Sequence, residues 1–208
     1  MDGATATVVI LIFVFSIFGA VTGKKDGNSG QSPYNEQPGI VYNTVEAVSI
    51  PGEVFLAGYA DGISDKIKSY ILRRNKNISE GQAQNITDYI LKYSQQFDVN
   101  PKVVTALMAR ESSFNTFAVS SSNAMGLGQL LPSTAAGLGV NDPFDPEQNT
   151  MGTVRYLRSL IDRFSGDYKL VYAIAGYFEG PNAVKRASGF KLKSKSYVED
   201  ILKISEKI

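Results

Sequence analysis

From Ser79 onward, apolar side chains recur with helical spacing. Ile86, Ile90, Tyr93 and Phe97 stand at i, i+4, i+7 and i+11, which predicts one buried helix face ending near Asp98. Asn100-Pro101 supplies a capping side chain followed by proline at the first helical position, and Val104, Leu107, Met108 and Glu111 continue at i, i+3, i+4 and i+7. A carboxylate therefore shares a stripe with three core residues. Residues 112–128, rich in Ser, Asn and Gly, read as a loop, and a short helix is expected from about Ser133. Met151, Val154, Leu157, Ile161 and Phe164 define a longer helix, and Leu170, Val171, Ile174, Tyr177 and Phe178 another, which Gly180-Pro181 breaks. Tyr197 to Ile208 closes the chain as a helix with Val198, Ile201, Leu202 and Ser205 on one side. No strand-like alternation of useful length follows residue 79, so the expected fold class is all-α, with at most a small hairpin in the loop after Glu111.

The first part of the chain has a different character. Ala4 to Gly23 is a run of twenty uncharged residues, long enough as a helix to cross a hydrocarbon core of roughly 30 Å. Residues 1–23 are expected to be a transmembrane anchor or an export signal. The anchor is favoured because Asp2 is the only charged side chain before the run and the cleavage site around Ala20-Val21-Thr22 is poor. Lys24 and Lys25 follow directly, a weak positive-inside signal tempered by Asp26. Residues 24–50 turn to Gly, Ser, Asn, Gln and Pro and read as a flexible linker. Residues 51–78 are expected to form a short helical lead-in through Ile63, Ile67, Tyr70 and Ile71, leaving 79–208 as the principal domain.

Composition narrows the chemistry. The 208 residues carry a formal net charge of +1 and contain no Cys, His or Trp. The near-balanced charge argues against a dedicated nucleic-acid binder. Without Cys or His there is no thiol nucleophile, no Ser-His-Asp triad and no Cys- or His-ligated metal. Acid–base chemistry near neutral pH is then left to a shifted carboxyl group, a tyrosine, or a lysine made neutral by burial. Glu111 is the first candidate, because desolvation on an apolar helix face raises a carboxyl pKa. The alternative is that Glu111 pairs with Arg110 or with an arginine of the 155–163 stretch.

The residues around Glu111 carry a resemblance. Glu111-Ser112-Ser113-Phe114-Asn115, then Ala118-Val119-Ser120, then Ala124-Met125-Gly126-Leu127-Gly128-Gln129-Leu130-Leu131-Pro132-Ser133-Thr134-Ala135 resembles the soluble lytic transglycosylase family. The likeness continues through Asp145-Pro146-Glu147-Gln148-Asn149, Gly152 and Tyr156-Leu157 to Gly176-Tyr177-Phe178-Glu179-Gly180-Pro181, covering roughly residues 82–200. It implies a lysozyme-like fold in which Glu111 is catalytic acid and base and no cofactor or metal is used. Ser120 and Gln129 would hydrogen-bond the sugar. Gly126, Leu127 and Gly128 would admit the glycan to the backbone, and Tyr177 would line the cleft and contact the glutamate. Three departures stand out: Gly128 replaces the family's Met, Phe178 replaces an Asn, and Lys193 stands at the acidic position of the C-terminal stretch that runs to Tyr197-Val198.

The implied reaction cuts the β-1,4 bond between N-acetylmuramic acid and N-acetylglucosamine of peptidoglycan and leaves a 1,6-anhydromuramoyl end. Glycoside hydrolases usually need two carboxylates; in this reaction the substrate's acetamido group and 6-hydroxyl replace the second. If Asp142, Asp145, Glu147 or Glu179 faced Glu111, a hydrolytic muramidase would be the better reading. A cleft kept only for wall binding is the non-enzymatic alternative. The expected partners are peptidoglycan strands, a bacterial or virion membrane reached through the N-terminal run, and the components of an envelope-spanning machine or a virion. From Lys185 onward seven basic residues face three acidic ones, either a solvated helical face or an attraction to anionic wall polymer or lipid headgroups.

Overall fold

A computed structural model describes residues 62–186 and 191–208. The anchor, the linker and residues 51–61 of the lead-in lie outside the described residues. The elements are α1 (Ile63–Arg74), α2 (Glu80–Phe97), α3 (Pro101–Glu111), α4 (Pro132–Gly137), α5 (Pro146–Ile161), α6 (Lys169–Glu179), α7 (Pro181–Arg186) and α8 (Leu192–Glu206). Among the described residues no helix is long and apolar enough to cross a membrane.

Local sequence explains where these helices begin. Ser79 accepts from the backbone N–H of Gln82 while the Gln82 side chain accepts from the Ser79 N–H, a reciprocal pair that starts α2. Asn100 accepts from Lys102 N at 2.9 Å with Pro101 at the first helical position of α3. Asp145-Pro146 repeats the device at α5, where Asp145 accepts from Gln148 N at 2.7 Å. Pro181 both ends α6 and opens α7, so the expected break is also a helix start. The last helix begins at Leu192, earlier than the apolar pattern from Tyr197 indicated, because its first turn is polar and carries no period.

The central helix is α3. Pro101, Val103, Val104, Thr105, Ala106, Leu107, Met108 and Ala109 are all buried, so it is apolar around its circumference rather than along one stripe. It packs between α8, α2 and α1, while α2 also packs on α5 and α5 on α6. Full burial of a Leu or Met side chain contributes about 1.5–3 kcal/mol, so Leu107 and Met108, both without solvent exposure, fix the helix firmly. Its last residue, Glu111, emerges where that packing ends.

Residues 112–131 contain no strand. Two single antiparallel bridges, Val119 with Met125 and Met125 with Leu130, stand in place of the anticipated hairpin. The chain turns too often for a ladder: Ser113, Phe114, Asn123, Gly126 and Gln129 all have positive φ. Asn149 of α5, without solvent exposure, holds this loop. Its Oδ1 accepts from Gly128 N at 2.8 Å, and its Nδ2 donates to Met125 O at 3.0 Å and Pro143 O at 2.8 Å.

That close approach requires glycine. A Cβ at Gly126, where φ is +76°, would fall 2.2 Å from both Asn149 Nδ2 and Pro143 O. Gly126→Ala is expected to lower stability by about 2–4 kcal/mol from overpacking plus left-handed strain. Gly81→Ala, at an open helical position, should be neutral or stabilising by up to about 0.5 kcal/mol. Denaturant melts of both variants check the contrast.

Candidate active site

Glu111 ends α3 half-buried, with α8 packed beside it. The Tyr197 hydroxyl on α8 donates to Glu111 Oε1. Burial pushes the Glu111 carboxyl above its ordinary range, while the Tyr197 hydrogen bond and the charge of Arg110 pull the other way and only partly offset it. Arg110 does not form an ion pair with Glu111; its Nε lies 3.4 Å from Asp200 Oδ2 and its guanidinium sits 5.6 Å from the Tyr197 ring centre. The arginines of α5 are also engaged elsewhere, Arg155 with Leu138 O and Arg158 with Asp98 and Asp162. Glu111 is thus a desolvated carboxyl held by a neutral donor, and the ion-pair alternative is not realised among the described residues.

Two tyrosines frame it. Tyr197 and Tyr177 are both pushed well above the usual phenol range, first by burial and then by the negative charge of Glu111. They remain protonated donors at any working pH. The Tyr177 hydroxyl donates to Gly128 O at 2.7 Å, so it braces the loop; the hydroxyl that reaches the glutamate belongs to Tyr197. Tyr177, expected to line the cleft beside the glutamate, feels the charge of Glu111 but gives its hydroxyl proton to the loop. Tyr177 also packs against Tyr156, ring centres 5.1 Å apart, and Phe178 stacks on Tyr197 at 4.8 Å and 28°.

The loop expectations divide. Ser120 Oγ accepts from Ser122 N at 3.2 Å and Ala124 N at 3.0 Å, which leaves its hydroxyl proton free to donate. Gln129 Nε2 donates to Ala118 O and Gly126 O, and its Oε1 has no partner among the described residues. Both side chains are half-buried with hydrogen-bonding capacity left over. Gly126, Leu127 and Gly128 are buried, and the Leu127 side chain belongs to the core. A Cβ at Gly128 would lie 1.9 Å from Thr153 Oγ1, so these glycines admit the loop to α5. The carbonyl of Leu127 accepts from Ser112 Oγ at 2.8 Å, tying the residue after Glu111 to the loop.

Among the described residues no second carboxylate acts on Glu111. Asp142 accepts from Phe144 N at 2.9 Å, Asp145 caps α5, and Glu147 binds Lys92 Nζ at 2.7 Å and the Tyr93 hydroxyl at 3.0 Å. None of these, nor Glu179, is among the charges that act on Glu111. Among the described residues no group of three acidic side chains comes together to hold a metal ion. Sequence reasoning missed Tyr197 and Asn149. The signal for Tyr197 was its place on the apolar face of the last helix with Val198 and Ile201.

A raised carboxyl pKa has a stability consequence of definite sign. Below the unfolded-chain value of 4.5, Glu111 is protonated in both states and adds no ionisation cost. As pH rises through its higher folded value, the folded state loses stability relative to the unfolded one. Glu111→Gln removes that ionisation, so thermal melts should show the variant more stable than the wild type at about pH 7–8. The gain should vanish below about pH 4.

The family model described as the transglycosylase SLT domain matches residues 88–198. A transglycosylase of Enterobacteria phage PRD1 is 37% identical over 110 residues, covering 53% of this chain and 39% of the relative. A membrane-bound lytic murein transglycosylase F of Vibrio cholerae is 39% identical over 95 residues, 44% of this chain and 18% of that protein. The chain therefore spans well under half the length of these relatives. The 70 kDa soluble lytic transglycosylase of Escherichia coli superposes with a TM-score of 0.53 at 17% identity, over 67% of this chain and 28% of that one. The lytic transglycosylase Slt of Pseudomonas aeruginosa, in an inactive mutant form, gives 0.50 at 20% identity, over 57% and 23%. These two likenesses concern the fold, and the family match runs from α2 through Glu111 and Tyr177 to Tyr197 and Val198. The chain belongs to the transglycosylase SLT domain family.

Proposed function

We propose that the protein is a peptidoglycan lytic transglycosylase in which Glu111 alone is both acid and base. The observation that supports this reading is a desolvated Glu111 held by a neutral tyrosine, with no second carboxylate of the described residues among the charges acting on it. Hydrolysis by paired carboxylates needs a partner within about 5–10 Å to act as nucleophile or to activate water. Transglycosylation needs none from the protein.

The steps balance within the substrate. Protonated Glu111 gives its proton to the glycosidic oxygen as the C1–O4 bond between N-acetylmuramic acid and N-acetylglucosamine breaks. The 2-acetamido group of the muramic acid stabilises the cationic C1. Glu111, now a carboxylate accepting from Tyr197, takes the proton of the sugar's 6-hydroxyl while O6 bonds to C1. The attacking oxygen belongs to the same ring, so its effective concentration far exceeds that of free water. The products are a free 4-hydroxyl and a 1,6-anhydro end, with no water consumed and Glu111 protonated again. Ser120, through its free proton, and Gln129, through Oε1, would bind the sugar's polar groups, while Gly126, Leu127 and Tyr177 set the position of the loop that carries them.

The uncharged run Ala4–Gly23 supports a single-pass membrane tether, followed by a polar linker that lets the domain reach the wall. The likeness to a phage transglycosylase and the lysines after the run support a virion membrane as its setting, with virion components as partners. A bacterial envelope machine is the other setting such a tether suits.

Glu111→Gln is expected to lose wall-cutting activity by at least about a thousandfold, the scale on which acid–base catalysis contributes. Mass spectrometry of the muropeptides released by the wild type should show ends one water lighter than reducing ends. Reducing ends in their place would mean hydrolysis, and an active Glu111→Gln variant would remove Glu111 from the chemistry.

A further inference from the structure

Phe178 is one of four large apolar side chains exposed among the described residues, 44% accessible, yet it is not idle. Its ring lies 4.8 Å from that of Tyr197 at an interplanar angle of 28°, an offset stack in the favourable range. The Tyr197 hydroxyl in turn donates to Glu111 Oε1. Three groups from three helices thus form one chain: Phe178 on α6, Tyr197 on α8 and Glu111 at the end of α3. Where the resemblance has a polar Asn after the cleft tyrosine, this chain carries a ring.

We propose that Phe178 is a positioning residue for Glu111, its ring fixing the Tyr197 phenol so that the hydroxyl stays on the carboxyl through both proton transfers. The inference rests on the reading of Glu111 as the acid and base. A buried phenol has two soft torsions, and an aromatic plate against its face removes the freedom to swing away from the carboxyl. One side of Phe178 faces solvent while the other lies on the Tyr197 ring.

Among the described residues, the charged and titratable groups that act on Glu111 or through its neighbours come from α3, α6 and α8. They are Arg110 on α3, Tyr197 on α8, Tyr177 on α6, and Asp200 of α8 acting through its ion pair with Arg110. Tyr197 favours the ionised form of Glu111, so releasing it must raise the pH at which the acid is lost. The alkaline limb of the kcat/KM profile reports that event.

The test measures kcat, KM and the alkaline limb for the full chain on soluble glycan strands, in the wild type, Phe178→Leu, Phe178→Tyr, Tyr197→Phe and Phe178→Leu with Tyr197→Phe. Tyr197→Phe is expected to move the limb up by about one pH unit, the scale of one hydrogen bond to a charged group. Phe178→Leu should move it in the same direction, lower kcat by about tenfold through a misplaced carboxyl, and leave KM little changed. Phe178→Tyr keeps the stack and should restore the wild-type limb. The double variant should show no shift beyond Tyr197→Phe. The proposal is overturned if Phe178→Leu leaves the limb in place, even in a variant that melts earlier. It is also overturned if the two shifts add, or if only KM rises, which would make Phe178 a sugar contact. Failure of the Glu111 reading is separately visible: Glu111→Gln would then retain the wild-type rate.

Discussion

Desolvation of one carboxyl group sets the terms for the rest of the site. Glu111 lies at the end of a helix buried on every side, and its surroundings disfavour the charged form. Burial alone favours the protonated form, which suits an acid and disfavours the carboxylate that a base requires. Tyr197 supplies the missing half, because a phenol kept neutral far above its usual range donates to the carboxylate without bringing a charge of its own. An arginine at that place would hold Glu111 ionised and abolish the acid. Arg110, the cation nearest in sequence, is drawn off to Asp200.

The loop that follows Glu111 depends on a buried polar residue of α5. Asn149 makes three hydrogen bonds to the backbone of Met125, Gly128 and Pro143, with no solvent to replace them if it is lost. Tyr177 adds a fourth tie at Gly128 O, and Ser112 a fifth at Leu127 O. The loop is therefore fixed from α5, α6 and the end of α3 together. Its positive-φ residues, Ser113, Phe114, Asn123 and Gln129, are held by that over-determination. Ser120 and Gln129 consequently present their unused hydrogen-bonding atoms from a rigid base rather than from a mobile strap.

Much of this was legible in the residues. The helical period at Ile86, Ile90, Tyr93 and Phe97 and the capping chemistry at Asn100-Pro101 located α2 and α3, and the apolar stripe of α3 singled out Glu111 as the candidate acid. Periodicity could not show the polar first turn of α8 or the start of α5 at Pro146, because neither turn has an apolar face to repeat. Tyr197 stands 86 residues from its partner in the sequence, and only the packing of α8 on α3 brings them together. The resemblance has Gly126 and Gly128 admitting the glycan; the neighbours a Cβ would meet are Asn149 and Pro143 at the first and Thr153 at the second. Local pattern records that a Cβ is forbidden and says nothing of which neighbour forbids it.

The proposed chemistry depends on Glu111 holding its proton at higher pH than an ordinary carboxyl. Carbon-13 NMR titration of the chain with labelled glutamate carboxyls measures this directly. One resonance should titrate clearly above the rest and disappear in Glu111→Gln. If the resonance lost in that variant titrates within the ordinary glutamate range, Glu111 is a solvated carboxylate and the account fails.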